Sequence, residues 1–151
     1  MPTHHRGTAR EKRALDTFIR LSRAMETVTA RINAEIAGYG LTPSQFMALE
    51  ALYHLGPLGV GEIGKKILRS SGNLTLVVDN LVKAGHVVRQ TDPADRRRAV
   101  LELSPSGRVL MKKAFPGHAR FITNLMSELT AGEQDQLGLL CRRLGVGIAS
   151  R

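Results

Sequence analysis

The sequence predicts a mainly α fold with one small β wing, and three observations predict it. Apolar residues recur every three or four positions through most of the 151-residue chain, the spacing that lines one face of a helix. Alternation of apolar and polar residues, the strand pattern, is confined to the neighbourhood of Val87 to Leu103. Between Gly61 and Leu103 the order is short helix, turn, second helix, then a hairpin with Arg96, Arg97 and Arg98 at its tip. That order is a winged helix-turn-helix, which sets one helix into a DNA major groove with a basic loop beside it. The expected organisation is an N-terminal arm and dimerisation helix (1–40), the winged module (41–104) and C-terminal dimerisation helices (105–151).

Residues 1–8 read as a solvated arm. His4 and His5 are adjacent but have no further ligands nearby in sequence, so no metal site is expected. Arg6, Arg10, Lys12 and Arg13 either reach phosphates or keep the arm soluble. From Arg10 to Ala37 a single long helix is expected. Phe18, Leu21, Met25, Val28, Ile32 and Ile36 form a heptad-like stripe on it. Its length of about 40 Å exceeds what a small winged module covers, so part of the stripe should face another chain.

Thr42, Pro43 and Gln45 occupy the N-cap, N1 and N3 positions of the next helix, a capping box. Phe46, Leu49, Leu52 and Tyr53 give it a buried face, and Gly56-Pro57 closes it near Leu55. Leu58 to Val60 is expected to form a short strand against the wing. Gly61 to Leu68 is the first helix of the DNA reader, with Ile63 and Ile67 inward and Lys65 and Lys66 outward.

In the second helix of the reader, Leu74, Val77, Val78 and Leu81 share one face and should be buried. The other face carries Ser71, Gly72, Asn73, Thr75, Leu76, Asn80 and Lys83, with Asp79 its one acid. A solvated face is usually rich in Glu and Lys; a small, neutral first turn suits close approach to an anionic polymer. Ser70 or Ser71 is the expected N-cap, where free N–H groups suit a phosphate. Gly85 is placed as the C′ glycine that ends the helix.

Val87 to Thr91 is extended, Asp92-Pro93-Ala94-Asp95 is a turn former, and Ala99, Leu101 and Leu103 alternate as a half-buried strand. Three adjacent arginines gain nothing from a core. Directly after a helix-turn-helix they read as phosphate and minor-groove contacts. Arg89, Arg96, Arg98, Lys65 and Lys66 are expected to neutralise phosphates, adding affinity without sequence choice.

Ser104-Pro105 should start another helix running to about Leu129, kinked or interrupted at Pro116-Gly117. Thr130 and Glu133 make a further capping box, and the last helix carries an apolar stripe of Leu137, Leu140, Cys141 and Leu144. Striped helices at both ends, with no other partner in the sequence, imply a homodimer clasped through them. Such a dimer sets its recognition helices about 34 Å apart and reads a pseudo-palindrome.

Composition narrows the partners. There are 22 Lys and Arg against 13 Asp and Glu, a net charge of +9, which calls for an anionic partner. Aromatic residues are only 4%, with no Trp, which argues against single-strand binding by base stacking. No apolar run approaches the roughly 20 residues of a membrane span, and the basic N-terminus lacks the apolar core of a secretory signal. One cysteine makes no internal disulfide, so a reducing cytoplasm is the expected compartment. The five histidines and Cys141 show no catalytic or ligand-like grouping, and there is no phosphate-binding glycine loop. Neither enzymatic activity nor a cofactor is expected.

The segment from Val77 to Gly107 resembles the MarR (multiple antibiotic resistance regulator) family of bacterial transcription factors. The matching residues are Val78-Asp79-x-Leu81 to Gly85-x-Val87, Asp95-x-Arg97 and Leu103-Ser104-x-x-Gly107. The order of helices before and after also fits. The chain departs from the pattern at Leu76 and Asn80, where the family often has arginine or lysine. The resemblance implies that Ser71, Gly72, Asn73 and Thr75, at the start of the recognition helix, meet base edges. Asn73 suits adenine, or else caps the helix; Thr75 and Leu76 suit thymine methyls, or Leu76 packs at the core margin. It implies too that Arg97 enters the minor groove and that Asp95 braces it, alongside any turn-forming role.

The resemblance further implies a sequence-specific regulator, most often a repressor, answering to a small aromatic or phenolic ligand or to oxidants. The effector crevice would draw on Phe46, Tyr53, Phe115 and His118, each of which also has a core-packing reading. Cys141, within an apolar stripe, is expected to be a buried structural cysteine rather than a thiol activated by Arg142 and Arg143. The competing function is a general nucleic-acid or chromosome-architecture protein of the same fold.

Overall fold

Among the described residues, six helices and three short strands follow in the order the apolar periodicities require. The computed structural model describes residues 3–67, 74–91 and 99–150, which fall into two compact units, 1–116 and 117–151. The first holds α1 (Ala9–Ala37), α2 (Pro43–Leu55), β1 (Leu58–Gly59), α3 (Val60–Ile67), α4 (Leu74–Lys83), β2 (Val87–Thr91), β3 (Ala99–Leu103) and the start of α5 (Pro105–Met126). The second holds the end of α5 and all of α6 (Ala131–Ala149).

Three helices begin on reciprocal capping boxes. Thr8 with Glu11, Thr42 with Gln45, and Thr130 with Glu133 each satisfy an N3 amide and the cap's own N–H, groups with no partner inside the helix. Gly40, Gly56 and Gly85 adopt positive φ where helices give way to turns. At Gly85 the φ of 76° is what lets the chain leave α4 and enter β2 within a few residues.

The sheet is antiparallel in the order β1-β3-β2. Leu58 pairs with Leu101, and Val87 with Leu103. Val87, Leu101 and Leu103 are therefore buried on the face that meets the helices. Phe46, Leu49 and Leu52 from α2, Ile63 and Ile67 from α3, Val78 and Leu81 from α4, and Met111 and Ala114 from α5 complete one core. Each large side chain so buried contributes about 1.5–3 kcal/mol.

The α1 stripe is only partly covered. Ile36 is buried at the C-terminal end, whereas Phe18 is 65% and Met25 56% exposed. In the second unit, α6 has no buried residue at all.

Two expectations need correction. Cys141 is exposed, not buried: the stripe that it shares with Leu137, Leu140 and Leu144 is itself exposed, because α6 buries none of its residues within its own unit. The helix from Pro105 is not interrupted at Pro116 but continues through it to Met126; one missing N–H removes a single backbone bond, which the turns on either side tolerate in a helix of this length. Among the described residues, no helix is long and apolar enough to cross a membrane.

Candidate nucleic-acid interface

The reader is built by turning one face of α4 into the core. Val77, Val78 and Leu81 are buried and Leu74 is half-buried, while Thr75, Leu76, Asp79, Asn80 and Lys83 are exposed. Leu76, at 57% exposure, is not core, so the packing alternative for it fails and an apolar group stands on the open face. α3 approaches α4 closely: a Cβ on Gly64 would lie 2.9 Å from the Leu74 side chain. Lys65 and Lys66 are exposed in the last turn of α3. Ser71, Gly72 and Asn73, like the alternative cap Ser70, lie outside the described residues, as do Asp95, Arg96, Arg97 and Arg98.

Arg89 leaves β2 on the same side as the buried Val87, opposite Leu101. Its Nη2 donates to Asp79 Oδ1 at 3.0 Å, tying the first wing strand to α4. Gln90, pointing the other way, donates to Glu102 at 3.3 Å.

The root of the wing is seated on α5. Gly85 O accepts hydroxyls from Ser104 (2.6 Å) and Ser106 (2.7 Å). Ser104 N donates to His86 O, and Ser104 Oγ accepts from Gly107 N, each at 3.0 Å. A Cβ on Gly107 would collide with the His86 carbonyl, so the small residue three after Ser104 is a steric necessity here.

The MarR family profile matches residues 41–99. The HTH-type transcriptional regulator MhqR of Bacillus subtilis is 36% identical over 135 residues, 89% of this chain and 93% of that protein. The chain belongs to the MarR family. Sco3205, a MarR family transcriptional regulator from Streptomyces coelicolor solved in complex with DNA, superposes with a TM-score of 0.82 at 21% identity, over 95% of this chain and 91% of that one. The two share the fold. A structure addressing regulation of DNA binding of Bordetella bronchiseptica BpsR by 6-hydroxynicotinic acid gives 0.75 at 25% identity, over 85% and 98%.

A MarR-family chain is a DNA-binding transcriptional regulator, and its relatives are regulators rather than enzymes. Of the residues expected to line an effector crevice, Phe46 is buried in the core and stacked on Tyr39, with ring centroids 6.1 Å apart. Tyr53 and Phe115 flank His54, whose ring lies 5.1 Å from the first and 4.4 Å from the second. His118 belongs to the second unit and is half-buried. A cavity of about 430 Å³ is lined by Gly38, Tyr39, Leu110, Lys113 and Ala114. Sequence reading missed Tyr39, Lys113 and the Asp79–Arg89 pair. Asp79 stands in the sequence as the one acid of its face and as part of the Val78-Asp79-x-Leu81 motif, neither of which names Arg89 as its partner, and nothing in a linear pattern joins Lys113 to the end of α1.

Proposed function

We propose that two copies of this chain pair through α1, α5 and α6 and bind a pseudo-palindromic operator as a cytoplasmic repressor. The observation that carries the reading is the exposed face of α4. It offers hydroxyl, amide and apolar groups to base edges, on a helix whose other face is anchored in the core. Ser71, Gly72, Asn73, Thr75 and Leu76 meet bases in the major groove. Arg97, braced by Asp95, enters the minor groove, and Lys65, Lys66, Arg89, Arg96 and Arg98 meet phosphates. Exposed Phe18 and Met25 on α1, with Leu140 and Leu144 on α6, supply the apolar area that pairing would cover.

Release would follow binding of a small aromatic or phenolic effector, for which the cavity of Tyr39 and Lys113, close to Phe46, is the candidate site within the first unit. An aromatic acid regulates DNA binding in the structurally similar BpsR. Lys113 has no ion pair among the described residues, so its ammonium is available to an anionic or phenolic group.

Selection of bound duplexes from a random pool tests the whole reading. A pseudo-palindrome with half-sites one helical turn apart is expected, and binding that resists excess random DNA. Loss of binding to random competitor would favour the architectural alternative. Arg97→Ala should weaken operator binding by about ten-fold or more without changing the oligomeric state; unchanged affinity removes Arg97 from the interface.

A further inference from the structure

We propose that Asp79 is a positioning residue for DNA binding: it holds Arg89 on the α4 side of the wing strand as a ready-made phosphate contact. The inference rests on the reading of Arg89 as a phosphate ligand and adds what aims it.

By Coulomb's law alone, a carboxylate on the open face of a recognition helix repels DNA. Asp79 is exposed on that face, one helical turn from Leu76 on one side and Lys83 on the other. Its carboxylate, however, is engaged with Arg89 Nη2 at 3.0 Å. Among the described cations of the interface, Lys65, Lys66 and Lys83 form no ion pair, whereas Arg89 forms one. A guanidinium carries five N–H donors in a rigid fork. Asp79 engages one nitrogen, Nη2, which leaves further donors of the fork for an anion. Both side chains are about half exposed, so the pair adds little to stability. Its physical effect is to remove rotamer freedom from a long side chain before the ligand arrives, the cost that otherwise weakens each phosphate contact.

The backbone makes this aim possible. Arg89 sits on the inward face of β2, two residues beyond buried Val87 and across from buried Leu101. Its stem therefore leaves the strand toward α4 rather than into solvent on the far side, where Gln90 lies.

The test is anisotropy of a labelled random-sequence duplex with the full chain, titrated at several salt concentrations. Arg89→Ala should weaken binding and lower the salt slope by about one. Asp79→Ala should weaken binding by about three- to ten-fold, although it removes a negative charge. Asp79→Asn keeps an acceptor for the guanidinium and should stay within about two-fold of the parent. On the Arg89→Ala background, Asp79→Ala should cost nothing further. Binding by Asp79→Ala that is unchanged or tighter overturns the inference, as does an equal loss with Arg89 already removed. Asp79→Ser is the second truncation and must give the same sign; it carries the decision if Asp79→Ala melts below the assay temperature. A parent chain that binds no duplex overturns the interface itself. A parent that binds, loses affinity with Arg89→Ala and ignores Asp79→Ala overturns only the positioning role.

Discussion

Leu81 and Leu140 are both leucines at stripe positions of amphipathic helices, yet Leu81 is 1% exposed and Leu140 50%. Leu81 lies in α4, whose stripe meets α2, β2 and the rest of one core. Leu140 lies in α6, where no residue is buried. An apolar stripe states that a helix needs a partner; it does not state whether the partner is in the same chain. The winged module closes its core internally, so it reports on stability. The last helix leaves its stripe open, so it would report on the proposed pairing.

Substitutions at the two leucines should therefore separate cleanly. The largest effect is expected at the closed core: Leu81→Ala should cost about 2–5 kcal/mol through lost burial and the cavity left behind, read as a lower denaturant midpoint with the slope unchanged. Leu140→Asp should barely alter the fold but raise the dimer dissociation constant by about ten-fold or more, read by sedimentation across a dilution series. A dimer indifferent to this change would place the interface elsewhere.

The smallest effect is expected at the α6 cap. Glu133 accepts from the Thr130 hydroxyl and the Thr130 N–H, and these bonds hold its carboxyl below the ordinary glutamate range, the side-chain bond being the stronger cause. A carboxyl that is more acidic when folded stabilises the helix above its unfolded pKa. That contribution fades as pH falls through the folded value. Helix content measured by circular dichroism should thus lose a small increment on acidification, and Glu133→Gln should abolish that increment while leaving neutral-pH helicity nearly unchanged.

Much of the fold was legible because its signals are local. Capping boxes at Thr42 in the winged module and at Thr130 before α6, the C′ glycine at Gly85 and the alternation Leu101-Leu103 each occupy a few consecutive residues, and each falls where the pattern places it. Cys141 was misplaced for the reason that separates Leu81 from Leu140: periodicity cannot tell self-burial from a face left open. At Pro116 the sequence left kink or interruption open, because a breaker's effect depends on the helix around it, and interruption is the outcome that does not occur. The interface was half legible. Which residues face outward on α4 follows from its period, but the tie between Asp79 and Arg89 spans a helix-to-strand joint that no short motif reveals.

The seat formed by Ser104, Ser106 and Gly107 has a mechanical meaning. Two hydroxyls on one carbonyl, an amide on the next, and a glycine pressed against that same peptide leave no slack between the foot of the wing and the opening turn of α5. Leu110 and Lys113 lie within the next two turns of that helix and form a wall of the 430 Å³ cavity. Any tilt of α5 must carry the base of the hairpin with it or break those bonds, so cavity wall and wing root behave as a single lever.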